Sequence, residues 1–228
     1  MIANKKEFSL GLVLFVGFWG LFIVLMSPVF AGKNLLDYMD NLYNMISKKS
    51  SYYIPVVQKK LVDYTGQQVS FTLKAKGEEK IVRLTKMFQA SGATVTPDGE
   101  KLEISGDLNA MINAALVDSE AMFHNDGKSI IAKYGSDERK VLYDWWDAFK
   151  TAEKEMNKNG KFKEGKIFNN AQTKAIEPAY NYYGIEAVPI KDKWGTVVLS
   201  LAGYVIYTLW FGFAILFMFE GWGMKLDH

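Results

Sequence analysis

Residues 8–32 read FSLGLVLFVGFWGLFIVLMSPVFAG, and residues 194–219 read WGTVVLSLAGYVIYTLWFGFAILFMF. Neither stretch contains a charged side chain. At about 1.5 Å of rise per residue, a helix of either length crosses a hydrocarbon layer of about 30 Å. The two runs therefore predict two transmembrane helices that flank one central segment, and the expected fold is a membrane-anchored α+β protein.

The composition excludes several classes of protein and of site. The 228 residues include 27 Lys and Arg against 25 Asp and Glu, so the net charge of +2 lacks the basic excess of a nucleic-acid binder. The absence of cysteine excludes thiolate zinc sites, iron–sulfur clusters, covalently attached haem and cysteine nucleophiles. With His124 and His228 as the two histidines, a bis-histidine haem within one chain is disfavoured. We therefore predict no cofactor in this chain.

The first span also resembles an export signal. Lys5 and Lys6 precede the apolar run, and residues 29–31 match the small-residue pattern of a cleavage site. The run exceeds the usual apolar core of about 7–15 residues in a cleaved signal, so we expect an uncleaved signal anchor over residues 8–32. Cleavage is the alternative, and it would leave a single C-terminal span.

The charges beside the spans give little information on orientation. Lysines flank both sides of the membrane in nearly equal number, at Lys5, Lys6, Lys33, Lys191 and Lys193. The resemblance of the N-terminal segment to an export signal therefore determines the predicted orientation. We expect residues 33–193 outside the cytoplasm and both tails, 1–7 and 220–228, inside it. The expected location is the bacterial inner membrane, with the bulk of the chain in the periplasm.

The central segment is expected to divide into a membrane-proximal helical hairpin at 33–66 and an α+β domain at 67–193. Residues 69–75 alternate between apolar and polar, which predicts a strand, and the predicted element order from there is β-α-β-β-α. This order resembles an incomplete ferredoxin-like unit, to which long helices are added. Residues 185–190 are the candidate for the missing last strand, and Pro189 would confine that strand to a sheet edge.

Small and hydroxylated residues at helical spacing in the spans predict close contact with another helix. They are Gly11, Gly17 and Gly20 in the first span and Thr196, Ser200, Gly203, Thr208 and Gly212 in the second. Because glycine is frequent in membrane helices, the partner is either the chain's own other span or a second protein.

Aromatic residues mark the two ends and the middle of the second span. Trp194 and Trp222 stand about 42 Å apart along a helix, near the two head-group layers, and Glu220 lies where a carboxylate is easily hydrated. Among the aromatic residues between them, those well inside the hydrocarbon layer include Tyr204, Tyr207, Trp210 and Phe211. Their hydroxyl and indole groups need partners there, which predicts contact with another membrane protein or with the polar head of a quinone.

Two further clusters lie in the central segment. Glu120 and His124 stand four residues apart on a predicted helix with Asp126 just beyond, which is a spacing that suits two metal ligands on one face. A zinc or di-iron site needs at least one more convergent ligand, and the alternative is that His124 ends the helix.

The second cluster is aromatic and comprises Arg139, Tyr143, Trp145, Trp146 and the run YNYYG at 180–184. It suits ring stacking or a cation–π contact, but helical spacing predicts core packing for most of it and a surface position for Trp146.

These features favour a non-catalytic accessory or scaffold subunit of a multi-subunit inner-membrane complex of respiratory or transport type. The expected partners are the lipid bilayer, other integral membrane subunits and an extracytoplasmic protein component, with no nucleic acid. Any haem, flavin or quinone would be held by a partner. One alternative is a ligand-binding or sensor module anchored by two spans. The other is a metal-dependent enzyme that uses Glu120, His124 and Asp126, although the sequence contains none of the common catalytic motifs.

Overall fold

The computed structural model describes residues 2–224. This part of the chain divides into two compact units, residues 2–46 with 187–224 and residues 47–186. The fold is mixed α+β and mostly helical, with one small sheet. His228 and the end of the predicted tail at 220–228 lie outside the described residues.

The helices of residues 2–224 are numbered here in chain order. They are α1 (Lys5–Met26), α2 (Leu35–Ser50), α3 (Ile54–Leu61), α4 (Glu78–Ala90), α5 (Leu108–Phe123), α6 (Gly127–Tyr134), α7 (Glu138–Lys158), α8 (Phe162–Ala171), α9 (Glu177–Asn181) and α10 (Trp194–Trp222). A π-helical turn, Gln172–Ile176, joins α8 to α9.

In the first unit, α1 and α10 are both long and apolar enough to cross a membrane. Only 11% and 6% of their most apolar windows are buried, unlike the core helix of a soluble protein. The helix α1 begins before the uncharged run because the Asn4 side chain caps it, accepting a hydrogen bond from the Lys6 N–H at 3.1 Å. It ends at Met26 because Pro28 disfavours a helical conformation in the residue before it. The sequence prediction of two apolar helices of membrane-spanning length is confirmed.

The second unit contains the sheet, whose strands are β1 (Gln68–Lys74), β2 (Thr94–Asp98) and β3 (Lys101–Asp107). The order across the sheet is β1-β3-β2, and both pairings are antiparallel. Val69, Phe71 and Leu73 point into the core, as their alternation with polar residues predicts. Asp107 caps α5, which directly follows β3, by accepting a hydrogen bond from the Ala110 N–H at 2.8 Å. The resemblance to a ferredoxin-like unit stays a prediction.

The expected fourth strand at Ile185–Ile190 is not formed, so this expectation is corrected. Residues 185–189 have no regular secondary structure and lead into a short 3-10 turn at Ile190–Asp192. The outer side of β1 is occupied instead by α7, because the Glu155 carboxylate accepts a hydrogen bond from the Thr72 N–H at 2.9 Å. Pro189 has no N–H to donate to a ladder in any case.

The core of the second unit is rich in aromatic rings. The Phe88 and Trp145 ring centroids are 4.9 Å apart, and those of Phe149 and Phe168 are 5.1 Å apart. Trp145 is fully buried and the adjacent Trp146 is half-buried. Helical periodicity therefore separated these two tryptophans correctly, placing one in the core and the other at its edge.

Candidate functional site

The packing of α1 against α10 depends on small residues at a few positions. A Cβ atom added to Gly11 would lie 2.6 Å from the Met218 backbone nitrogen and 2.9 Å from the Ala214 carbonyl oxygen. A Cβ atom on Gly221 would overlap the backbone of Phe8. The two helices therefore approach closely at these positions because no side chain separates their backbones.

Aromatic residues fill the middle of this helix pair. The Trp210 indole N–H donates a hydrogen bond to the Leu14 carbonyl oxygen at 2.9 Å, and its ring passes beside Gly17. The Phe18 ring stacks on Tyr207 with centroids 4.2 Å apart and lies 4.7 Å from Phe211. Three of the four aromatic residues predicted to make intramembrane contacts thus face the chain's own first span.

The N-terminal end of α1 contacts the C-terminal end of α10. The Asn4 N–H donates a hydrogen bond to the Gly221 carbonyl oxygen at 2.9 Å, and the Phe8 ring meets Trp222 edge-on at 5.9 Å. Trp222 and Trp194, the two predicted interface residues, are both exposed. Glu220 is exposed as well, as suits a residue at a membrane boundary.

The other glycines predicted to pack do not lie at the close contact between α1 and α10. Nothing lies within 4 Å of a Cβ atom added to Gly20, Gly203 or Gly212. The Ser200 hydroxyl is 2.7 Å from the Tyr43 hydroxyl of α2, and Thr196 is half-buried. The Thr208 hydroxyl donates to its own helix, with the Tyr204 and Val205 carbonyl oxygens each at 2.9 Å. We call the row Tyr204, Thr208 and Gly212 the outward ridge of α10, because all three are exposed and recur every four residues.

Two phenol groups of α10 have no hydrogen-bond partner within residues 2–224. The Tyr207 hydroxyl is buried among other atoms and makes no hydrogen bond. The Tyr204 side chain is 67% exposed, and the described residues offer its hydroxyl no partner either. The Tyr204 hydroxyl is therefore available to a molecule outside this chain, whereas the Tyr207 hydroxyl is enclosed by the chain itself.

Sequence reasoning missed Ala214 and Gly221, which the close contact with α1 requires. Ala214 and Gly221 are also the two buried residues of α10. They stand seven residues apart and so lie on one face of the helix. That seven-residue spacing of small residues is the signal in the sequence. The more regular four-residue row of small and hydroxylated residues on another face of the helix obscures it.

The structure brings two of the three candidate metal ligands together. The Glu120 carboxylate accepts a hydrogen bond from the Tyr52 hydroxyl, and its Oε1 is 2.9 Å from His124 Nε2. Asp126 instead caps α6, accepting a hydrogen bond from the Ser129 N–H at 3.3 Å. Within residues 2–224, no three His, Cys, Asp or Glu side chains are placed to hold a metal ion. His124 is the residue at the C-terminal end of α5, in line with the alternative reading of its sequence position.

No protein-family model, curated protein or solved structure matches this chain. The functional argument therefore depends on the residues and their contacts.

Proposed function

We propose that this protein is a non-catalytic accessory or scaffold subunit of a multi-subunit inner-membrane complex, of respiratory or transport type. In this proposal α1 and α10 form one packed pair, and the outward ridge of α10 receives a helix of another integral membrane subunit. The observation that carries the proposal is the exposed and unpartnered phenol group of Tyr204 in the middle of α10.

The depth of the Tyr204 phenol in the membrane is what makes a partner necessary. The midpoint of α10 is Thr208, so Tyr204 lies about 6 Å from it along the helix axis and Tyr207 lies closer still. Both hydroxyl groups are then well inside a hydrocarbon core of about 30 Å. An unsatisfied hydroxyl in that environment costs roughly 2–7 kcal/mol. A polar group on a partner helix or a quinone head removes this cost where it reaches the exposed Tyr204 hydroxyl.

The outward ridge also has the shape that a partner helix needs. Gly212 leaves the backbone uncovered, and the Thr208 hydroxyl is folded back on its own helix, so neither side chain holds a neighbour at a distance. Small residues of this kind allow close helix contacts in membranes. Gly20 of α1 is open in the same way.

The rest of the proposal follows the sequence. With residues 33–193 in the periplasm, the second unit would dock an extracytoplasmic component of the complex. In this proposal any haem, flavin or quinone of the complex belongs to the partner subunits.

The test is affinity purification of the full chain from its native membrane in mild detergent, followed by mass spectrometry and an absorption spectrum. We expect stoichiometric membrane subunits to purify with it. Gly212→Leu and Tyr204→Phe should reduce their yield, the first by blocking close approach and the second by removing the hydroxyl. The matched control is Ile206→Phe, which enlarges a 64% exposed residue on a different face of α10 and should leave the yield unchanged. A lone, colourless protein from the native membrane would refute the proposal.

A further inference from the structure

A small cleft opens in the second unit between α7 and the segment 172–181. Its volume is about 230 Å³, and its lining residues are Tyr143, Trp146, Ile176, Glu177, Tyr180 and Asn181. This is below the range of about 300–1,000 Å³ that is typical of sites for drug-sized ligands. The cleft therefore suits a small ligand of a few heavy atoms.

The wall of the cleft is built by an irregular feature of the backbone. At the π-helical turn, the Glu177 N–H donates to the Gln172 carbonyl oxygen, one residue further back than in an α-helix. The extra residue shifts the side chains that follow around the helix, which places Glu177 and Tyr180 opposite α7. Such π-turns within helices occur frequently at functional sites.

Glu177 is held in a defined position in this cleft. Its Oε1 accepts a hydrogen bond from the Trp146 indole N–H at 2.7 Å. Tyr143 stacks on Trp146 with centroids 5.8 Å apart and an angle of 27° between the ring planes. The lining thus combines three aromatic rings with one carboxylate, which is the single formal charge among the lining residues.

The chain itself shows what these rings attract. The Lys150 ammonium lies 4.4 Å from the centroid of Trp146, and the Arg139 guanidinium lies 5.7 Å from the centroid of Tyr180. Both are cation–π contacts, in which the negative face of the ring attracts a positive group. Neither cation is among the residues that line the cleft, so Glu177 carries the single formal charge of the lining, while Lys150 and Arg139 already lie over the rings of Trp146 and Tyr180.

We propose that this aromatic cleft binds a small organic ammonium group, with Tyr143, Trp146 and Tyr180 around the cation and the Glu177 carboxylate as its counter-ion. Aromatic cages of this composition are the common way in which proteins recognise quaternary ammonium groups. The same group occurs in free solutes such as choline and in the head group of phosphatidylcholine. The shared chemistry is the alkylated ammonium.

The test is calorimetric titration of the full chain, in a sugar-headed detergent that carries no ammonium group, with tetramethylammonium and with choline. We expect both to bind, and dimethylbutanol, the neutral carbon isostere of choline, to bind about tenfold more weakly because it lacks the cation–π attraction. Phosphatidylcholine in mixed micelles forms a second arm. Competition with choline there assigns the head group as a source, and binding of free choline alone assigns the solute.

Variants connect the binding to the cleft. Glu177→Gln keeps an acceptor for the Trp146 N–H and removes the charge, so affinity should fall about tenfold while the melting temperature stays the same. Lys150→Met removes a like charge and should tighten binding. Tyr143→Leu removes one of the rings of the cleft and should weaken binding. Tyr53→Leu is its matched control and should not change the affinity, because both side chains are about half exposed and Tyr53 does not line the cleft. Equal affinity for choline and its isostere, unchanged affinity in Glu177→Gln, or no detectable binding would overturn the proposal.

Discussion

Replacing Asp118 with alanine is expected to destabilise the second unit strongly. Asp118 lies on α5 with 1% of its surface exposed. Its carboxylate accepts hydrogen bonds from the Tyr134 hydroxyl at 2.7 Å, the Trp145 indole N–H at 2.8 Å and the Lys133 ammonium at 2.8 Å. Tyr134 and Trp145 are also buried, so water cannot replace the lost acceptor for either of them.

The expected loss of unfolding free energy follows from the number of buried hydrogen-bond donors that the substitution leaves without an acceptor. A buried donor left without a partner costs about 1–3 kcal/mol. Two such donors give a loss of about 2–6 kcal/mol, and we expect a value near 4 kcal/mol. The Lys133 side chain is 38% exposed and regains water, so its ion pair adds little. Tyr134 and Trp145 both donate to Oδ2, so Asp118→Asn can keep its single carbonyl oxygen toward both and turn its amide toward the exposed Lys133. A loss of only about 1 kcal/mol is therefore expected in Asp118→Asn.

The assay is urea unfolding of the full chain in a mild detergent, followed by the near-ultraviolet circular dichroism of the packed aromatic rings. Tyr134→Phe is the matched control, because it removes one donor together with its hydroxyl and should cost about 1 kcal/mol. The double variant Asp118→Ala with Tyr134→Phe should therefore lose less than the sum of the two single variants. A loss below about 1 kcal/mol in Asp118→Ala would show that the site relaxes or admits water, and the reasoning would be wrong.

Two further predictions concern the spans and the Glu120 cluster. Gly11→Leu should weaken the packing of α1 on α10 by about 1–3 kcal/mol, because its Cβ would lie 2.6 Å from the Met218 nitrogen. Thermal unfolding in detergent measures this loss. Gly20→Leu is the control, since nothing lies within 4 Å of a Cβ atom at that position. Burial, and then the hydrogen bond to Glu120 and its charge, raise the pKa of Tyr52 from 10.0 to about 12. The stability that Tyr52 contributes is thus complete below pH 10 and is lost as the pH rises through 12. Ultraviolet titration of the phenolate should show a lower pKa in Glu120→Gln, and an unchanged value there would contradict the assignment.

The parts of the fold that the sequence predicts are those governed by local rules. The absence of charge over residues 8–32 and 194–219 predicts helices of spanning length, and alternation at Val69, Phe71 and Leu73 predicts β1. Helix ends follow caps such as Asp107. Periodicity also distinguishes neighbouring residues, as the burial of Trp145 shows.

The prediction of a fourth strand was wrong because it depends on contacts between distant parts of the chain. A strand beside β1 needs free N–H groups on that side, and Glu155 on α7, 83 residues further along the chain from Thr72, accepts one of them. The aromatic cleft shows the same limitation. The composition of 180–184 and of α7 predicts many rings, but the contact between Glu177 and Trp146 depends on a π-turn for which no sequence rule was available.

Lys48 shows most clearly how tertiary contacts override a local preference. A lysine in the last turn of a helix ordinarily stays in water, where its charge complements the helix dipole. It is instead 1% exposed, and its ammonium donates to Asn125 Oδ1 at 3.0 Å and to the Ile185 carbonyl oxygen at 2.6 Å. Asn125 Oδ1 also accepts from the Gly184 N–H at 2.8 Å, so one amide joins residue 48 to residues 184–185, at the two ends of the second unit. Burial lowers the pKa of Lys48. Hydrogen bonds to two neutral acceptors, 77 and 137 residues further along the chain, offset the free-energy cost of burying this ammonium group. No local sequence pattern carries information over such a separation.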